Sequence, residues 1–179
     1  RDGATVHDVR TVADGIQSRG VLLDVARAQG REWLDPGEPI FPEHLEAAER
    51  AQGVTVGAGD VLLVRTGEGA RRTCGDWNPV QTGSPGLHVA CVPWLSERRV
   101  AALGADCPQE VTPSGYENLK LPLHGIAMAA MGLWLIDNCQ LEDLGTTCAD
   151  LNRWHFLFSL GPLRLTGATG SPVNPLALF

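Results

Sequence analysis

The chemistry open to this chain centres on an imidazole, His124, and a carboxylate, Asp137, which lie thirteen positions apart. The sequence between them predicts a short helix over 123–131, a turn at Gly132 and a strand over 133–136. A helix of eight residues rises about 12 Å, and a strand of five residues spans about 16 Å. The chain would therefore fold back and bring the two side chains together. Such a pair suits a metal ion, an acid–base role or a plain hydrogen bond, and the spacing leaves all three open.

The elements that must position this pair alternate between strand-like and helix-like segments. The alternation predicts an α/β fold in which a mixed β-sheet is layered with helices. Strands are predicted over 21–25, 54–56, 60–66, 101–106, 133–136 and 154–160, and helices over 42–52, 87–100 (interrupted at Pro93), 123–131 and 141–151. The intervening residues 67–86 are rich in Gly, Thr and Pro, so they predict a long loop of the kind that often covers a binding site.

Length and composition limit the function further. The 179 residues predict one domain over 1–179. The net charge of −7 and the absence of a basic stripe argue against nucleic-acid binding, so no nucleic-acid partner is expected. No segment is apolar and long enough to predict a membrane partner. The five cysteines are odd in number and lack CxxC spacing, which favours reduced thiols and a cytoplasmic location.

Three further residues leave their roles open. Asp106 ends a predicted strand, where an acid either faces a ligand crevice or caps a turn. His88 begins a helical segment and suits either a substrate contact or the surface of a helix end. His155 alternates with apolar residues on the last strand, which favours an exposed or interface position.

The C-terminal stretch 161–175 combines glycines and prolines into a segment that predicts the wall of a pocket or an interface. Together with other segments, it resembles the cyclase family of metal-dependent hydrolases, which includes bacterial kynurenine formamidase. The segments that carry the resemblance are 18–27 (SRGVLLDVAR), 45–49 (LEAAE), 59–67 (GDVLLVRTG), 85–88 (PGLH), 94–95 (WL), 121–124 (LPLH), 137–138 (DN) and 162–175 (PLRLTGATGSPVNP).

The resemblance implies a cyclase-like or kynurenine formamidase-like fold and a hydrolase that uses a metal-activated water. The substrate would be a small cyclic or aryl amide or a lactone, and the cofactor a divalent metal, Zn or Mn. His124 and Asp137 would be the catalytic and metal-binding residues, although Asp137 stands where family members carry Glu. His88, Asn138 and Arg164 would contact the substrate. The family also implies a homo-oligomer.

One departure from the family concerns the metal site. The family's main metal motif, His-x-x-x-His-x-Asp, has no counterpart in this chain, where no two histidines are four residues apart. Three explanations stay open. The segment that carries the motif has been removed, a companion chain supplies it, or the chain is a non-catalytic relative with a structural or oligomerisation role.

Overall fold

The computed structural model describes residues 8–75 and 78–179, and within them strands and helices alternate. The strands are β1 (Ile16–Asp24), β2 (Pro39–Ile40), β3 (Val61–Arg65), β4 (Gly86–Leu87), β5 (Ala102–Ala105), β6 (Trp134–Ile136), β7 (His155–Leu160) and β8 (Leu176–Leu178). The helices are α1 (Val25–Ala28), α2 (Pro42–Gln52), α3 (Glu68–Thr73), α4 (Pro79–Thr82), α5 (Cys91–Arg98), α6 (Pro122–Ala129) and α7 (Glu142–Leu151), preceded by a 3₁₀ turn at Val9–Val12.

The described strands form a six-stranded sheet in the order β6-β5-β3-β1-β7-β8, and β2 pairs with β4 in a separate ribbon. Strands β6, β5, β3 and β1 run parallel, whereas β7 is antiparallel to β1 and β8 is antiparallel to β7. The predicted mixed α/β sheet is therefore confirmed. Because four neighbouring strands are parallel, their carboxyl ends meet at one edge of the sheet.

The core lies on the central strands. Every residue of β3 is buried, as expected for a parallel strand covered on both faces. Strand β7 instead alternates, so Phe156 and Phe158 are buried while His155 and Leu157 are exposed. The exposed position predicted for His155 is confirmed.

Helix α2 has the boundaries that the sequence predicts. Pro42 occupies its first turn, where the missing N–H costs no hydrogen bond. The Nδ1 atom of His44 accepts a hydrogen bond from the Phe41 N–H, which closes the start of the helix. Gly53 ends it with a φ of 60°, a left-handed conformation that glycine adopts without strain.

The predicted strand over 54–56 is wrong. The Val54 N–H bonds to the Glu49 carbonyl, and the Val56 N–H bonds to the Glu49 carboxylate. The Val56 carbonyl accepts from Arg98. These partners satisfy the backbone without a neighbouring strand.

Three other elements differ from their predictions. The segment 67–86 was expected to be a loop, but it contains the short helices α3 and α4. Helix α5 continues through Pro93, because this proline lies in the first turn, where its N–H would be unpaired anyway. The apolar end of the chain forms β8, for which the sequence analysis predicted no strand. Among the described residues, no helix is both long and apolar enough to cross a membrane.

Asp106 follows β5 and fixes the turn after β3. Its fully buried carboxylate accepts hydrogen bonds from the N–H groups of Thr66, Gly67 and Glu68 and from the Thr66 hydroxyl. Of the two roles open for Asp106, the structure shows the turn-capping one. Burial raises the pKa of Asp106 to about 6, while the Thr66 and Gly67 donors act in the opposite direction.

We expect Asp106→Ala to lower the free energy of unfolding by about 3 kcal/mol, because it leaves several buried donors unpaired. Chemical denaturation with urea measures this change. Asp150→Ala is the control, since Asp150 is exposed near the end of α7. Equal losses in the two variants would contradict the capping role of Asp106.

Candidate functional site

The candidate site begins with Glu110, in the loop between β5 and α6. Its buried carboxylate accepts hydrogen bonds from the N–H groups of Leu123 and His124, at 3.0 and 2.9 Å. Helix α6 has no side-chain cap of its own at Leu121, so Glu110 satisfies two of its free N–H groups. An acid at this end also interacts favourably with the helix dipole.

The same carboxylate orients the imidazole of His124. Glu110 Oε2 lies 2.7 Å from His124 Nδ1, and the His124 side chain is mostly buried. The ring is therefore held at one nitrogen and by its own backbone. The other ring nitrogen, Nε2, points away from Glu110 and is available to a second partner.

That second partner is Asp137, which directly follows β6. His124 Nε2 lies 3.5 Å from Asp137 Oδ2. The fold thus brings together the two side chains that the helix–turn–strand spacing joins. The side chain of Asp137 is 40% exposed, so this end of the pair faces open space.

The two carboxylates favour the protonated imidazole. Asp137 and Glu110 raise the pKa of His124 to about 9, although burial acts in the opposite direction. The ordinary pKa of a histidine is about 6.5. With these two contacts, the imidazole of His124 is therefore protonated between two carboxylates at neutral pH.

The neighbouring strand ends carry further buried charges. Arg65, the last residue of β3, bonds to Asp24 at 2.9 Å and to Glu142 at 2.5 Å. Asp24 is the last residue of β1, and Glu142 begins α7. Together with Asp106, this network ties the carboxyl ends of the parallel strands to α3 and α7, beside the His124–Asp137 pair.

A cavity of about 540 Å³ opens beside Asp137. Asp137, Asn138 and Asp143 provide polar groups in its wall, and Ile136, Phe158 and Phe179 provide apolar surface. Val173, Asn174 and Pro175, at the end of the stretch 161–175, also line it, as expected if this stretch forms the wall of a pocket. Asn138 has a φ of 56°, and its side-chain oxygen accepts a bond from Arg72 at 2.7 Å.

The other predicted substrate residues, His88 and Arg164, contact residues outside the pair. The ring of His88 packs against Phe41 and Tyr116, with centroids 4.7 and 5.8 Å away, and its Nδ1 accepts from the Ala90 N–H. Arg164 bonds to the Ala13 carbonyl, near the amino end of β1. The His124–Asp137 pair lies at the opposite end of the parallel strands, so the structure does not bring Arg164 to it.

Glu110 was not predicted from the sequence. The residue lies fourteen positions before His124 in a loop with no regular pattern, so spacing gave no sign of it. The only local signal was the lack of a Ser, Thr, Asp or Asn cap before Pro122, which leaves the first turn of α6 without a partner for its N–H groups.

The pair can serve one side of a metal site. A histidine whose Nδ1 bonds to a carboxylate presents Nε2 in a fixed direction, as metal-binding histidines commonly do. Asp137 adds a carboxylate oxygen. Within residues 8–75 and 78–179, no group of three or more His, Cys, Asp or Glu side chains is placed to hold an ion. The described residues thus supply two of the donors that a metal site needs, His124 Nε2 and an oxygen of Asp137.

Sequence comparison identifies the family. Residues 2–110 match the model of the Cyclase family, described as "Putative cyclase", so the chain belongs to this family. A search of the curated proteins found no match.

Solved structures share the fold. A structure described as a novel cyclase is 31% identical, with a TM-score of 0.83 over 96% of this chain and 57% of its own. Isatin hydrolase A from Ralstonia solanacearum is 22% identical, with a TM-score of 0.71, and the match covers 94% of this chain and 62% of that one. A structure described as a potential metal-dependent hydrolase with cyclase activity is 15% identical, with a TM-score of 0.65. That match covers 97% of this chain and 69% of the other. The chain thus spans about three-fifths of the length of these proteins.

The charge state of the site can be tested directly. We expect the His124 ring to titrate near pH 9 in NMR spectra, and Asp137→Asn to lower this pKa because one partner of the imidazolium is neutralised. Because the folded pKa lies above the unfolded value, this interaction stabilises the fold fully below about pH 6.5. The contribution is lost as the pH rises through about 9.

Asp143→Asn is the matched control for this titration. Asp143 lines the same cavity but makes no ion pair with His124. If both variants lowered the pKa of His124 equally, the effect would be one of general charge rather than of the contact with Asp137.

Proposed function

We propose that the protein is a metal-dependent hydrolase that cleaves an amide or ester bond in a small cyclic or aryl substrate, such as a cyclic amide or a lactone. The observation that carries this proposal is the imidazole of His124, fixed at Nδ1 by Glu110 and presented at Nε2 to Asp137. Membership of the Cyclase family and structural similarity to an isatin hydrolase support it.

The residues of the pair would divide the work. His124 Nε2 would bind the ion or move a proton to the leaving group, and Asp137 would bind beside it or orient the ring. A divalent ion, Zn²⁺ or Mn²⁺, would polarise the substrate carbonyl and lower the pKa of water. Glu110 would keep Nδ1 bonded, so that only Nε2 faces the reacting groups.

The cavity beside Asp137 supports a small substrate. Its volume of about 540 Å³ lies in the range of small-molecule sites. Phe158 and Phe179 offer apolar surface to a ring, and Asn138 offers an amide to a polar group of the substrate. The segment 67–86 reaches the wall of this cavity through Arg72, which bonds to Asn138, whereas His88 is not among the lining residues.

The two donors of the pair leave a metal ion short of ligands, since zinc sites in proteins usually have three or four. We propose that the remaining ligands come from a companion polypeptide or from residues outside this sequence, and that the protein forms either a homo-oligomer or a complex with that companion. The relatives' greater length supports this arrangement, because their solved chains extend well beyond the matched part.

A second candidate is a non-catalytic cyclase-like chain with a structural or oligomerisation role. The observation that favours it is the lack of a three-residue metal cluster among the residues that the structure describes. The two candidates differ in whether the folded protein carries a metal.

Metal analysis of the purified protein separates these candidates. The hydrolase proposal predicts about one divalent ion per chain when the protein is prepared with any polypeptide that copurifies. His124→Ala should lose this ion because it removes a ligand that Glu110 holds in place. A folded, pure protein without metal, with or without a companion, would support the structural role instead.

Activity tests the role of His124. We expect His124→Ala to reduce the hydrolysis of small aryl amides and lactones by at least about a hundredfold, since it removes either a metal ligand or the proton carrier. The circular dichroism spectrum should change little. His155→Ala is the control, because His155 is exposed on β7, and it should keep full activity. Turnover that survives His124→Ala would refute the role.

A further inference from the structure

Gln109 is a fully buried polar residue that the proposed chemistry does not use. It directly precedes Glu110, and its backbone φ of 57° lies in the left-handed region. A residue with a side chain rarely adopts this conformation, and such strain tends to persist where function requires it. Local conformational preference therefore does not account for the backbone of Gln109, whereas a role in the site would.

The side-chain amide of Gln109 bridges two strands. Its Nε2 donates to the Ile136 carbonyl at 2.9 Å and to the Leu103 carbonyl at 3.3 Å. Leu103 belongs to β5, and Ile136 ends β6 directly before Asp137. One amide group thus fixes the carboxyl end of β6, from which Asp137 projects.

The backbone of Gln109 is fixed as well. Its carbonyl accepts a bond from the Leu87 N–H at 2.8 Å, and the Val111 N–H bonds to the Leu87 carbonyl at 3.1 Å. Strand β4 therefore holds the chain on both sides of Glu110. The loop that carries Glu110 cannot move without breaking these bonds.

The other atom of the amide, Oε1, is buried and has no hydrogen-bond partner among the residues that the structure describes. A buried oxygen without a partner destabilises the fold, and an apolar side chain of the same shape would remove that cost but would also leave the Ile136 and Leu103 carbonyls without this donor. The contribution of the amide therefore lies in the two bonds that its nitrogen makes.

We propose that Gln109 is a positioning residue that sets the separation between His124 Nε2 and Asp137. Through its neighbour Glu110 it holds His124, and through the Ile136 carbonyl it holds Asp137. The catalytic meaning of this arrangement rests on the proposed function, whereas the positioning itself is a property of the fold.

Gln109→Met tests the proposal, because methionine keeps the shape of glutamine and removes both donor bonds. We expect the NMR cross-peak between His124 Hε1 and Asp137 Hβ to lose most of its intensity. We also expect kcat to fall by about ten- to a hundredfold, as a shift of about 1 Å can cause, with KM nearly unchanged. The melting temperature should fall by only a few degrees, because two buried carbonyls lose a donor.

Gln52→Met is the matched control. When its amide is oriented to suit its neighbours, Gln52 donates to the Ala48 carbonyl and accepts from the Asp24 N–H, at 3.2 and 3.1 Å. The same substitution there also removes two hydrogen bonds, but far from the pair in sequence and on α2. It should leave the cross-peak and kcat at the wild-type level.

A second variant covers the case in which Gln109→Met does not fold. Gln109→Asn keeps an amide and suits the left-handed backbone, but it is one methylene too short to reach both carbonyls. It should weaken the cross-peak in the same way. An unchanged cross-peak in a folded variant would overturn the positioning role, whatever happens to turnover. If the wild type shows no turnover but the variant loses the cross-peak, the proposed function fails and the positioning role stands.

Discussion

The candidate site depends on the carboxylate of Glu110. This one group accepts two N–H groups at the start of α6 and the Nδ1 of the histidine in the same turn. The carboxylate fixes the helix and the ring together, because moving either one would break its bonds to Glu110. A buried acid without such donors would destabilise the fold, so these three contacts stabilise Glu110 where it lies.

The sheet determines where this contact can act. Four parallel strands end at the same edge of the sheet. Each one ends in a charged residue or is directly followed by one: Asp24, Arg65, Asp106 and Asp137. Two of these acids are bound by neighbouring groups and serve the fold. Asp137 is the partly exposed member, and it faces the cavity. The same edge therefore provides both stability and a site.

The division of roles between the acids follows from burial. Asp24 and Asp106 are fully buried, and each is surrounded by donors from an arginine or from backbone N–H groups. Their bonding capacity is used within the protein. Asp137 has an oxygen beside His124 and open space around the rest of its side chain, so it can bind something from outside.

The sequence by itself determined the α/β class, the main strands and helices, and the proximity of His124 to Asp137. These follow from local causes: apolar periodicity, the proline and glycine at the ends of α2, and a helix–turn–strand spacing that returns the chain. The family resemblance added the proposed chemistry. No local pattern predicted β8, however, and the apolar run at 54–56 predicted a strand where Glu49 and Arg98 bond the backbone instead.

Only the tertiary structure revealed Glu110, Gln109 and the separation of Arg164 from the pair. The contacts of these residues join segments far apart in the chain, such as Glu110 with α6 and Gln109 with the end of β6. No periodic pattern encodes such contacts, because they depend on which loops the folded sheet brings to one edge. Local sequence preferences could therefore place the pair, but only long-range packing could supply the residues that hold it.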